Sequence, residues 1–262
     1  MQQFSFTTDK GKPYSVTVPT PKPNFERKFV FAFAKSGSTL LDNLLSVYCQ
    51  VEGTPTFSLY NQAFDQGLST AELGSEALPC LDFDGILYTG FRHYPRFELD
   101  IGSSKAIWLV RDPRDMAVSM YYSIAKSHVI PKGHEAMTRS RQQTSELDID
   151  EFVVKRMKSY MGQFKQYQKN LANKNVKIYR YEDVIYEKLS WFKGVLTYLD
   201  IPVKDKLAEN VVKQFDVIPS EEKDDQHIRQ VHPGNYKKKL AAETVETLNE
   251  QAMDFLRYFN YE

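Results

Sequence analysis

Neither sign of charge dominates this chain: its 262 residues carry 34 Lys plus Arg against 34 Asp plus Glu. Such a balance excludes the broad cationic face by which proteins neutralise duplex phosphates, so nucleic acid is not an expected partner. Cysteine is nearly absent, and the two present, Cys49 and Cys80, form no C-x-x-C pair. A chain this long needs no disulfide framework, and a reducing, cytoplasmic compartment is the expected setting. No apolar run approaches the ~20 residues of a membrane span, and Met1 to Ser5 lacks the basic and apolar parts of a secretory leader. Glycine and proline number only 12 each, which excludes collagen-like and low-complexity architectures. His, Cys and Asp nowhere recur at zinc-ligand spacing, so no metal is expected.

What is present is a patterned globular sequence. Residues 3 to 7 and 14 to 18 alternate around Thr8-Asp9-Lys10-Gly11, the pattern of a β-hairpin, and Pro19, Pro21 and Pro23 end it. Phe29 to Ala34 is a continuous apolar run, followed by Lys35-Ser36-Gly37-Ser38-Thr39. Leu40, Leu41, Leu44, Leu45 and Tyr48 then recur at helical spacing. Ala106 to Val110 repeats the strand pattern, Arg111-Asp112-Pro113-Arg114-Asp115 follows, and Met116, Met120, Tyr121 and Ile124 mark a helix that Asp112 or Asp115 would cap. Ile86–Thr89 and Val176–Tyr179 read as further strands. Residues 53 to 80 read as an irregular connection. A long amphipathic helix runs through Phe152, Tyr160, Phe164, Tyr167 and Leu171, whose aromatics read as core. Two helices are expected between about 183 and 215, and a last one over Thr244–Tyr258. Strands alternating with helices imply one α/β domain over residues 1–262, a central parallel sheet flanked by helices. Residues 1–24 form its hairpin and Pro-rich entry. The polar stretch 126–150 is expected to be a lid.

Two segments carry chemistry. A Gly-containing loop between a strand and a helix N-terminus presents unpaired N–H groups to an anion, and Lys35, Ser38 and Thr39 add donors. The Walker pattern requires a Lys after its second Gly, whereas here Lys35 precedes the only Gly; the loop is P-loop-like but not an NTPase loop. Taken alone, it also fits an ordinary tight turn. The second segment sets Arg111 at a strand end and Ser119 in the following helix, where both reach one anion. If the two strands are neighbours, Lys35 and Arg111 line one crevice beyond the sheet's carboxyl edge. Taken alone, Arg111 with Asp115 also fits a surface ion pair.

Together these segments resemble the paired signatures of the sulfotransferases that use 3′-phosphoadenosine 5′-phosphosulfate (PAPS), in the cytosolic-type, small-molecule branch. The resemblance implies that Lys35, Ser36, Gly37, Ser38 and Thr39 bind the 5′-phosphosulfate end, Leu40 takes the position that contacts adenine, and Arg111 and Ser119 bind the 3′-phosphate. Thr89-Gly90-Phe91-Arg92-His93-Tyr94-Pro95 is similar to the family's Lys-x-His-x-Pro segment and implies His93 as catalytic base, with Lys35 as its catalytic partner. Tyr179-Arg180-Tyr181-Glu182-Asp183 is similar to its Tyr-Glu-Asp strand end and places Tyr181 near adenine. Arg229 to Lys237 is similar to its closing loop, and implies that Arg229 and Gly234 lie over the 3′-phosphate. The implied reaction moves a sulfonate from PAPS to a hydroxyl, amine or guanidine of a small-molecule acceptor and releases 3′-phosphoadenosine 5′-phosphate (PAP), with no metal.

The departures are specific. Leu40 stands where many relatives carry an adenine-stacking Trp, Phe91 replaces a Lys, and Gln230-Val231 replace Lys-Gly. Thr244-Val245, with Lys239 and Glu250, misses the family's dimer motif by one residue on each side; monomer and homodimer both stay open. Residues 57–66, 94–99 and 126–147 are the expected acceptor walls. Tyr60, Phe64 and Phe97 suit a ring-containing acceptor, and Asp65, Glu98 and Glu135 a cationic one. Two other classes stay open: a kinase-like nucleotide phosphotransferase, which would need Mg²⁺, and a PAPS-binding protein without catalysis.

Overall fold

Phe29, Phe31 and Phe33 face one side of the central strand while Val30 and Ala32 face the other, and this two-residue period divides the core into two layers. The computed structural model describes residues 1–127, 135–217 and 231–262. The chain begins with an antiparallel hairpin of β1 (Gln2–Thr7) and β2 (Pro13–Val18). Then follow β3 (Lys28–Ala32), α1 (Ser38–Glu52), β4 (Thr56–Phe57), α2 (Leu59–Asp65), β5 (Leu87–Phe91), β6 (Ala106–Val110), α3 (Pro113–Tyr122), α4 (Glu135–Ser145) and α5 (Ile149–Leu171). The C-terminal part contains β7 (Val176–Arg180), α6 (Tyr181–Val184), α7 (Lys188–Tyr198), α8 (Asp205–Phe215), α9 (Tyr236–Lys239), α10 (Ala242–Gln251) and α11 (Met253–Tyr258). The second sheet has five strands in the order β4-β5-β3-β6-β7, all parallel.

The strands β3, β5 and β6 are buried along their whole length, which is why β6, and β3 after Lys28, read as uninterrupted apolar runs. On one face Phe31, Phe33 and Trp108 meet Tyr160, Phe164 and Tyr167 of α5. On the other, Val30, Ala32, Ile107 and Leu109 meet α1, α7 and α8 through Leu41, Leu44, Phe192, Val195 and Val211. Helix α5 runs antiparallel to β3 and satisfies carbonyls that the sheet leaves open: Tyr167 donates to Ala32 O at 2.7 Å and Tyr160 to Ala34 O at 3.1 Å. Asp112 caps α3, accepting from the Arg114 N–H at 2.9 Å.

The structure departs from the sequence expectations at four places. Residues 53–80 contain a strand, β4, too short to show a period. The Ile86–Thr89 strand runs instead over Leu87–Phe91. The last helix is two, broken at Ala252, because Ala252 and Phe255 are both buried and the apolar pattern runs on through the break. Residues 135–145 form a polar helix with no apolar period for sequence reading to find; part of the expected lid, residues 128–134, lies outside the described residues. Among the described residues no helix is long and apolar enough to cross a membrane.

Phe31 is fully buried among Phe29, Phe91, Tyr94 and Tyr167, with ring centroids 5.0–5.9 Å away. Truncating it to Ala is expected to cost about 3–5 kcal/mol. Urea unfolding would show this as a lower midpoint at an unchanged slope.

Candidate active site

The loop between β3 and α1 turns on two left-handed residues, Lys35 at φ 74° and Gly37 at φ 91°. Only Gly fits at position 37, since a Cβ there would sit 2.7 Å from Tyr181 Cδ2. The Tyr181 ring therefore lies directly under the loop, and its hydroxyl donates to Val231 O at 2.9 Å. Above the same ring lies the Arg111 guanidinium, 4.3 Å from the centroid. Helix α1 begins at Ser38 with no side-chain cap on its first turn, so its N–H groups face the cleft with the macrodipole behind them.

Arg111 ends β6, the sheet neighbour of β3, so one crevice collects the residues that follow both strands. The arginine is 6% exposed, its Nη2 stands 3.6 Å from Asp115 Oδ2, and its buried Nε has no hydrogen-bond partner. Asp115 is fully buried and also accepts from the Gly234 N–H at 2.7 Å and the Tyr236 N–H at 3.0 Å. It is a buried junction, not one half of a surface pair. Arg114 turns away from the cleft. It grips Asp112 through Nε and Nη2 at 2.9 and 2.6 Å and donates to Asn249 Oδ1 at 2.7 Å and Tyr261 O at 3.1 Å.

The cleft is lined by Lys35, Gly37, Ser38, Thr39, Leu40, Arg111, Ser119 and Tyr181 among others. Three of the sequence-expected residues that the structure describes stand elsewhere, and a fourth is not described. Ser36 is fully buried, with its hydroxyl donating to Phe33 O at 2.8 Å, so it shapes the loop from within. Gly234 is held by Asp115 and borders a separate cleft with Arg114 and Tyr236. Arg229 lies outside the described residues. His93 sits beside the cleft rather than in its wall. The Ala34 N–H donates to Arg92 O at 3.1 Å, which sets the backbone leading into Lys35 against that leading into His93. The imidazole packs against the Tyr60 ring at 5.5 Å. Burial first, then the charges of Arg96 and Arg156, push its pKa down to about 4. His93 is therefore neutral at pH 7 with a lone pair available.

Sequence reading missed Asn43, Ile185, Lys188 and Gln214 in the cleft wall. Lys188 is 5% exposed, with its Nζ 2.5 Å from Asp216 Oδ1. A lysine among the apolar positions of α7 was the available signal. Among the described residues no group of three His, Cys, Asp or Glu could hold a metal.

A sulfotransferase domain model matches residues 98–251, more than half of the chain. The chain belongs to that family. The family span includes α3, α5, α6 and the Asp115 junction, and begins after the Lys35 loop and His93. Across 97% of this chain and 95% of the other, the fold matches that of mouse sulfotransferase SULT7A1 complexed with PAP, with a TM-score of 0.59 at 14% identity. A retinol dehydratase in complex with androsterone and inactive cofactor PAP is 13% identical, with a TM-score of 0.47 over 88% of this chain and 80% of that one. No curated protein matches the sequence.

Two expectations follow. Gly37→Ala adds a clash to a left-handed strain and should destabilise the fold by roughly 1–3 kcal/mol in chemical denaturation; a change under about 0.5 kcal/mol would contradict the close Tyr181 packing. His93 is expected to titrate near pH 4 by NMR of the imidazole carbons. The unfolded chain takes up that proton near pH 6.5, so the stability tied to neutral His93 is complete above about 6.5 and is lost as pH falls toward 4. A midpoint near 6.5 in the folded protein would refute the burial.

Proposed function

We propose that the chain transfers a sulfonate from PAPS to a hydroxyl of a small-molecule acceptor and releases PAP. The observation that carries this reading is the Arg111 guanidinium, buried against Tyr181 with an unsatisfied Nε, in the same cleft as the Lys35 loop. A buried donor without a partner costs stability unless an anion completes it. The cleft thus offers one cationic position at the end of β6 and another at the end of β3, which suits a nucleotide with phosphate groups at both its 3′ and 5′ positions. PAP in the crystal structure of SULT7A1 is consistent with such a ligand here.

On this reading Arg111 and Ser119 hold the 3′-phosphate. The α1 amides with Ser38 and Thr39 hold the 5′ end, and Tyr181, Leu40 and Ile185 supply apolar surface for the base. The donor supplies a sulfonate bonded to a phosphate oxygen. As the acceptor oxygen forms its bond to sulfur and the sulfur–oxygen bond to the phosphate breaks, Lys35 stabilises charge on the departing oxygen and His93 takes the acceptor's proton on its imidazole. His93 starts as a weak base, since burial and then the charges of Arg96 and Arg156 oppose its protonation. A bound polyanion offsets those cations and raises its basicity. Catalysis here is mostly positioning and charge stabilisation, as in phosphoryl transfer. The buried thiols of Cys49 and Cys80 suit a reducing, cytoplasmic setting.

A thermal-shift titration tests this reading. PAP is expected to raise the melting temperature more than Mg-ATP or 5′-AMP does, and Arg111→Ala to abolish that shift. With PAPS and an accepted hydroxyl compound, His93→Ala is expected to lower kcat by about 10²–10⁴-fold at unchanged PAP affinity. Stabilisation by Mg-ATP alone would favour a kinase-like enzyme. Full turnover by His93→Ala would remove the base assignment.

A further inference from the structure

The tyrosines of α5 track β3 toward its carboxyl end, Tyr167 at Ala32 and Tyr160 at Ala34. One helical turn further stands Arg156, past the last strand residue, with its guanidinium carbon 5.1 Å from the Tyr160 ring centroid. Its Nε is buried and has no hydrogen-bond partner. Arg92, next to His93, pairs one terminal nitrogen with Asp42 at 2.8 Å and leaves the other, Nη1, buried without a partner. Arg96 follows on the same segment. Among the described residues neither Arg96 nor Arg156 has an acidic partner within ion-pair distance. The donor cleft does not use them, since its wall is drawn from the Lys35 loop, α1, Arg111, Ser119 and the region of Tyr181 to Val231.

We propose that Arg156, with Arg92 and Arg96, forms an anion subsite for the acceptor, so that the molecule sulfated carries a carboxylate or similar anion close to its hydroxyl. The inference rests on the sulfonate-transfer reading and deepens it. A guanidinium whose Nε is sealed from water is destabilising until an anion meets it, and a carboxylate matches the guanidinium fork with two charge-assisted hydrogen bonds. A neutral phenol would leave Arg156 unmet beside the proton acceptor. Of the carboxylates that would favour a cationic acceptor, Asp65 and Glu98 are exposed to solvent, as Arg96 is, so the buried Nε of Arg156 is the group that distinguishes the two kinds of acceptor. Arg156 is a specificity-determining residue in this scheme, and His93 stays the base.

The test is calorimetric binding of 3- and 4-hydroxybenzoate against the corresponding hydroxybenzamides, with the donor site saturated by PAP. The acids are expected to bind at least about tenfold more tightly than their amides. Arg156→Gln should erase that ratio at unchanged PAP affinity, and Arg156→Lys should keep part of it. Equal binding of acid and amide, no binding of either at millimolar concentration, or a ratio that survives Arg156→Gln would each overturn the proposal. Should Arg156→Gln fail to fold, the wild-type ratio and its reduction in Arg156→Lys decide the matter. Failure of PAP itself to bind would instead overturn the sulfonate-transfer reading.

Discussion

One buried carboxylate organises the ligand side of the molecule. Asp115 sits in the first turn of α3, holds the Arg111 guanidinium from one side, and receives the N–H groups of Gly234 and Tyr236 on the other. Two N–H groups donate to it and one guanidinium pairs with it, so its charge is compensated despite complete burial, as a buried ion requires. Through it, the segment that re-enters at Val231 is fastened to the same arginine that faces the cleft. Tyr181 closes this circuit, with its ring between Gly37 and Arg111 and its hydroxyl on Val231.

The Arg111-to-Asp115 run therefore divides its labour. Arg111 alone faces the cleft. Asp112 and Arg114 form a fork-to-fork pair that extends to Asn249 and to the backbone of Tyr261, while the Asp112 N–H donates to Glu182 and Tyr261 donates to the same carboxylate. These contacts join the ends of β6 and β7 to the C-terminal segment. A run dense in charge, ordinarily read as surface, is here almost wholly buried because each charge has a partner.

The two strand-loop-helix units were legible because strands buried on both faces leave unbroken apolar runs, and because Gly37 and Asp112 mark the starts of their helices. The juxtaposition of Lys35 and Arg111 followed from the topology of parallel sheets. β4 was not legible, since two residues carry no period. Asn43 looks like an ordinary helix residue, Lys188 stands out only as a lysine on the apolar face of α7, and the folding of α1 and α7 against one face brings both to the cleft. Arg156 left a faint signal: it lies four residues before buried Tyr160 and one before buried Met157, where the apolar face of α5 would otherwise continue. Asp115 was visible as a partner for Arg111, but its burial depends on residues more than a hundred positions away in the sequence.

β3 and β6 are hydrogen-bonded neighbours, and two of the cleft's cationic residues, Lys35 and Arg111, follow their ends. Adjacent strands keep a spacing of about 4.8 Å that backbone hydrogen bonds maintain. The sheet thus fixes the separation of the two strand ends, and only the step from Ala32 to Lys35 and the reach of the Arg111 side chain are left to adjust the distance between the two charges.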